Sequence, residues 1–153
     1  MDQKSKIGSH YCRRRELMKV DGGCHCGWVT YEAFVSRDVV NICHCTDCQK
    51  LSASAYRVVI ASEEANFKLL NNSPKDYIKK SNNGTPRIQA FCPECGSHIY
   101  ATSIDNIGNR IFNIRLGSVT QKDQFNPTKQ VWCRSALPWV FDLKNIPRID
   151  KQS

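Results

Sequence analysis

Nine cysteines stand in this chain of 153 residues, and seven of them fall into three tight groups. These are Cys24-His25-Cys26-Gly27, Cys43-His44-Cys45-Thr46-Asp47-Cys48 and Cys92-Pro93-Glu94-Cys95-Gly96. An odd total in tight groups does not fit the dispersed pairs of a secreted disulfide scaffold. A chain of this length also buries an ordinary core without covalent staples. Metal ligation by thiolates in a reducing compartment is the chemistry these spacings suit.

The last group is a CxxC turn closed by glycine, the knuckle of zinc ribbons, in which both sulfurs face one ion. A CxC pair cannot complete a tetrahedral site alone. Cys24, Cys26, Cys92 and Cys95 are therefore expected to form one closed, structural four-thiolate zinc site. Cys43, Cys45 and Cys48 remain, and three thiolates with an open fourth position are what a catalytic zinc requires. A redox dithiol is a second reading of any CxxC. Iron–sulfur ligation is a further option for the trio, whose short spacing does not exclude it. Such a cluster usually takes a fourth cysteine, whereas Cys12 and Cys133 have no motif around them and read as free thiols.

His25 and His44 each lie between two cysteines, and on an extended segment such a side chain points away from the ion its neighbours hold. His98 reads as a strand-packing or surface residue, since four thiolates are already at hand. Asp47, inside the trio, fits a proton shuttle or a cap on the turn Thr46 to Cys48. Arg57 and Arg115 are the candidate substrate contacts, because a guanidinium pairs a carboxylate in bidentate fashion. A surface role for either arginine stays open.

The elements that must position these groups are short and β-rich. Gly27 to Phe34, Tyr56 to Ala61, Ile88 to Phe91, Ile99 to Thr102 and Ile111 to Leu116 are expected strands, each bounded by turn-forming residues. Asn82-Asn83-Gly84 predicts a hairpin between Tyr77-Ile78 and Ile88. One helical turn is expected from Thr46 to Ser52. The chain reads as a mainly β, mostly antiparallel single domain. Its expected parts are an N-terminal arm over 1–20, a zinc-binding domain over 21–143 and a basic tail over 144–153.

The formal net charge is +8. Seven thiolates with two Zn²⁺ would leave roughly +5. The runs Arg13-Arg14-Arg15, Lys79-Lys80 and Lys144 to Lys151 read as solvated surface, with an anion-binding face as the alternative. Lys and Arg are not interleaved with aromatics and no nucleic-acid signature appears, so a nucleic-acid partner is not expected. Met1 to His10 are polar and no run approaches the roughly 18 apolar residues of a membrane span. A cytoplasmic protein without a membrane partner is expected.

With the three cysteine groups in this order, the sequence resembles the family of glutathione-dependent formaldehyde-activating enzymes, whose domain is shared with centromere protein V. The resemblance rests on Gly23 to Gly27, Cys43 to Lys50, Phe91 to Ser97, Arg115-Leu116-Gly117-Ser118 and Ser135 to Trp139. It implies a β-tent of small antiparallel sheets with a rubredoxin-like zinc site. It implies two Zn²⁺ per chain, one structural in the quartet and one catalytic in the trio. The implied activity joins a thiol such as glutathione to formaldehyde, giving the S-hydroxymethyl adduct, and is carbon–sulfur lyase chemistry in reverse. Many members carry glycine where this chain has Ala53. A zinc-stabilised binding module without catalysis, possibly associated with nucleic acid, is the alternative. A sulfoxide reductase of similar fold would need a redox cysteine, for which Cys133 is the candidate.

Overall fold

Burial alternates along Thr30 to Val35, so that Tyr31, Ala33 and Val35 face inward while Glu32 and Phe34 face out. That period of two builds the first hairpin of the computed structural model, which describes residues 16–81 and 84–152. The strands are β1 Leu17–Gly23, β2 Thr30–Ser36, β3 Val40–Cys43, β4 Arg57–Glu63, β5 Phe67–Asn71, β6 Lys75–Lys80, β7 Pro86–Phe91, β8 His98–Ser103, β9 Ile111–Arg115 and β10 Lys129–Val131. One α-helix, α1, spans Thr46–Ser52, as expected from the sequence.

The strands make two sheets. β1, β2 and β5 form an antiparallel three-stranded sheet. The other seven run in the order β10-β3-β4-β9-β8-β7-β6, antiparallel except where β10 lies parallel to β3. Val20, Tyr31 and Val35 of the first sheet meet Val40, Ile60, Ile99 and Ile114 of the second in one core. Each such side chain contributes roughly 1.5–3 kcal/mol by leaving water. Tyr100 and Phe112 stack with ring centroids 4.6 Å apart, and Phe67 packs edge-on against both.

β2 begins at Thr30 rather than Gly27, because Gly27 sits at φ +78° in the turn carrying the CxC pair. The expected hairpin is present: β6 pairs β7 with Ile78 opposite Ile88, and Gly84 lies at φ +80° beside the turn. Asn82 and Asn83 lie outside the described residues, as do Cys12 and Arg13-Arg14-Arg15. Strands β1, β3, β5 and β10 have no counterpart in the sequence expectations. β1 takes in residues 17–20 of the stretch expected as an N-terminal arm. Among the described residues no helix is long and apolar enough to cross a membrane.

Candidate active site

The quartet is assembled by two turns. The first follows β1 and carries Cys24 and Cys26; the second joins β7 to β8 and carries Cys92 and Cys95. All four sulfurs lie within 4.8 Å of one another. Cys24 Sγ is 3.6 Å from Cys26 Sγ, which is 3.8 Å from Cys92 Sγ. Sulfurs about 2.3 Å from a tetrahedral zinc stand about 3.8 Å apart, so the donor set fits that ion. The Val29 amide donates to Cys24 Sγ at 3.2 Å. The Ser97 hydroxyl, with a backbone amide beside it, holds the Cys95 thiol down to about 5. Charge-favouring donors around thiolates are what metal ligation needs.

The trio is local. Cys43 ends β3, Cys45 caps the N-terminus of α1 and Cys48 lies in its first turn. Their sulfurs also lie within 4.8 Å of one another, so both groups can hold a metal ion. Cys45 Sγ accepts the Cys48 amide at 3.3 Å, the bond a Ser or Asp cap normally supplies. A hydrogen bond from Cys48 holds the Cys43 thiol below its ordinary range, while the same contact and burial push Cys48 up. His44 turns away from the trio: it is buried, with Nε2 2.8 Å from Gln130 Oε1. His25 is exposed. His98 is half-buried and stacks on Phe91, its ring centroid 6.1 Å away.

Asp47 differs from the capping role. Cys45 caps the helix, and the Asp47 carboxylate is ion-paired with Lys79 of β6. The pairing follows from the hairpin β6–β7 reaching over to α1.

The trio opens onto a cavity of about 550 Å³ on one face of the seven-stranded sheet. The register places this face: Cys43 is opposite Arg57, Val59 opposite Arg115, Asn113 opposite Ala101, Ala101 opposite Gln89, and Arg87 opposite Lys79. All nine line the cavity, because every second residue of a strand shares a face. Ala101 is short, and Gln89 reaches past it to Arg115 two strands away. The segment after β10 supplies Trp132 and Arg134 to the wall. Trp132 stands at φ 58°, a left-handed conformation rare for a bulky residue.

Arg57 and Arg115 are each only 7% exposed. Both donate to Gln89 Oε1, at 3.2 and 2.7 Å, while Arg57 Nη2 and Arg115 Nε have no hydrogen-bond partner. Burial, and then the neighbouring Arg57 charge, pull the Arg115 guanidinium down to about 9. The structure thus brings both sequence candidates to the trio. Sequence reasoning missed Gln89, Arg87 and Arg134. Arg87 and Gln89 do show the two-residue spacing of one strand face.

A protein-family model described as glutathione-dependent formaldehyde-activating enzyme matches residues 19–135. Among solved structures, a crystal structure of a Rhodobacter sphaeroides protein from a structural-genomics programme is similar, with a TM-score of 0.54. The two share 16% sequence identity, over 72% of this chain and 99% of that one, a likeness of fold. With the match running through the quartet, the trio, Arg57 and Arg115, the chain belongs to the family of glutathione-dependent formaldehyde-activating enzymes.

Proposed function

We propose that the chain is a carbon–sulfur lyase-type enzyme that joins a glutathione-like thiol to formaldehyde, or releases formaldehyde from the S-hydroxymethyl adduct. The quartet Cys24, Cys26, Cys92 and Cys95 is read as a structural zinc site and the trio Cys43, Cys45 and Cys48 as the catalytic one. The observation that carries this reading is that the trio lines a cavity with five cationic side chains. Cys43, Cys45 and Cys48 would hold a zinc ion, which when bound would supply Lewis acidity that favours the ionised form of a thiol beside them.

The chain's own residues do the rest. Arg57 and Arg115 meet a substrate carboxylate, and Gln89 fixes the planes of their guanidinium groups. The concave wall holds the thiol beside the aldehyde, which lowers the entropic part of the barrier. In the forward direction the substrate sulfur bonds to the carbonyl carbon and the C=O π pair moves onto oxygen. The thiol's proton ends on that oxygen as the new hydroxyl; in reverse the carbon–sulfur bond breaks. Cations gathered in a concavity support a small anion rather than a phosphate backbone.

The test is exchange NMR with ¹³C-formaldehyde and glutathione. Wild type is expected to speed adduct formation and breakdown well beyond the uncatalysed rate, and Cys45→Ser to lose that gain. An uncatalysed rate in zinc-loaded wild type defeats the reading.

A further inference from the structure

Five cationic side chains line the cavity: Arg57, Lys79, Arg87, Arg115 and Arg134. Among the described lining residues Asp47 is the one carboxylate, and Lys79 already pairs it. We propose that the cavity selects a dicarboxylic thiol that carries no ammonium group, so that glutathione, with its free amine, is the weaker ligand. This rests on the reading that a substrate thiol enters beside Cys43, Cys45 and Cys48.

Two tiers of charge support it. Arg57 and Arg115 form the deep tier, more than nine-tenths buried, with donors left over and no carboxylate beside them. With zinc bound, the trio's three thiolates would leave only one negative charge opposite two buried guanidiniums, so an incoming carboxylate still gains more there than at a surface. Arg87 and Arg134 form the outer tier, drawn from β7 and the segment after β10, Lys79 being paired with Asp47. A thiol with one carboxylate at each end satisfies both tiers, and a cavity of about 550 Å³ takes a molecule of tripeptide size.

An ammonium group gains nothing comparable. A neutral oxygen such as that of the Asn113 side chain can accept from it, but the ammonium charge is offset only by a carboxylate or an aromatic face. Asp47 is engaged by Lys79, and the Trp132 ring already carries the Arg134 guanidinium 4.9 Å from its centroid. Left in the mouth, the ammonium faces the outer cations in a cleft whose lining is net positive, where field lines are focused.

The experiment compares two ligands that differ by that one group, glutathione and its deaminated form glutaryl-cysteinyl-glycine, by calorimetry on the zinc-loaded full chain. The S-methyl derivative of each is the control. The deaminated thiol is expected to bind about tenfold tighter at about 50 mM salt, with the advantage shrinking at about 500 mM. Arg87→Gln combined with Arg134→Gln is expected to reduce that preference, and S-methylation to weaken both ligands. Glutathione binding as tightly as the deaminated thiol, with S-methylation still weakening both, overturns the charge selection and leaves the thiol site standing. S-methyl forms binding as tightly as the free thiols overturn the thiol site, and the selection with it.

Discussion

Arg57 and Arg115 share a single acceptor, Gln89 Oε1, so two buried like charges are tied together with no carboxylate between them. The arrangement holds a positive potential beside the trio. Gln89→Glu would place the missing counter-charge at that point with almost no change in volume. Folding stability is expected to hold or rise, while affinity for anionic thiols falls about tenfold. Thermal melts and calorimetry read the two effects separately. Unchanged affinity in a folded variant would show that this charge does not act on the ligand.

The two cysteine groups should respond differently to loss of one sulfur. Cys92→Ser, in the buried part of the quartet, is expected to lose one zinc equivalent and cooperative folding together, since the binding energy of such a site is folding energy. Cys45→Ser removes a trio sulfur but leaves a good helix cap, serine being a preferred residue there. It should fold, keep the other zinc and lose activity. Metal content and circular dichroism check both; equal unfolding of the two variants contradicts the division.

Ala53 closes α1 at φ 48°, ψ 40°, where an L side chain is strained and glycine is at ease. Ala53→Gly is expected to raise stability by about 0.5–1 kcal/mol, part of the relieved strain being offset by the freer unfolded chain. Chemical denaturation measures it. A loss of stability would mean that the methyl group packs usefully.

Glu64 accepts hydrogen bonds from the Arg110 side chain and from the amides of Gly108 and Arg110. These bonds, led by the Arg110 side chain, hold its carboxyl at about 2, well below the ordinary 4.5. A depressed carboxylate stabilises the fold above its unfolded value and loses that contribution as pH falls through the folded one. Wild type should therefore lose stability more steeply than Glu64→Gln between about pH 4.5 and 2. Parallel pH profiles would remove Glu64 as the source.

What the sequence determined by itself is what short range controls. The trio lies within six residues, so its spacing alone sets three sulfurs around one turn, and α1 runs over the expected residues 46–52. The β6–β7 hairpin follows from turn chemistry in the same way. Pairing the CxC turn with the knuckle was inferable only because two sulfurs cannot close a tetrahedron. Tertiary structure brought Cys26 to Cys92 across 66 positions. Strands β1, β3, β5 and β10 escaped because short segments with mixed burial carry little periodicity of their own, and pairing with neighbours decides them. The anion cavity was decided only by sheet order. Arg57, Gln89 and Arg115 come from three strands, and β8 lies between β7 and β9, so they meet only because Ala101 is too small to separate them. Nothing local in the chain encodes that neighbourhood, since charge at one position carries no record of which strand will lie beside it.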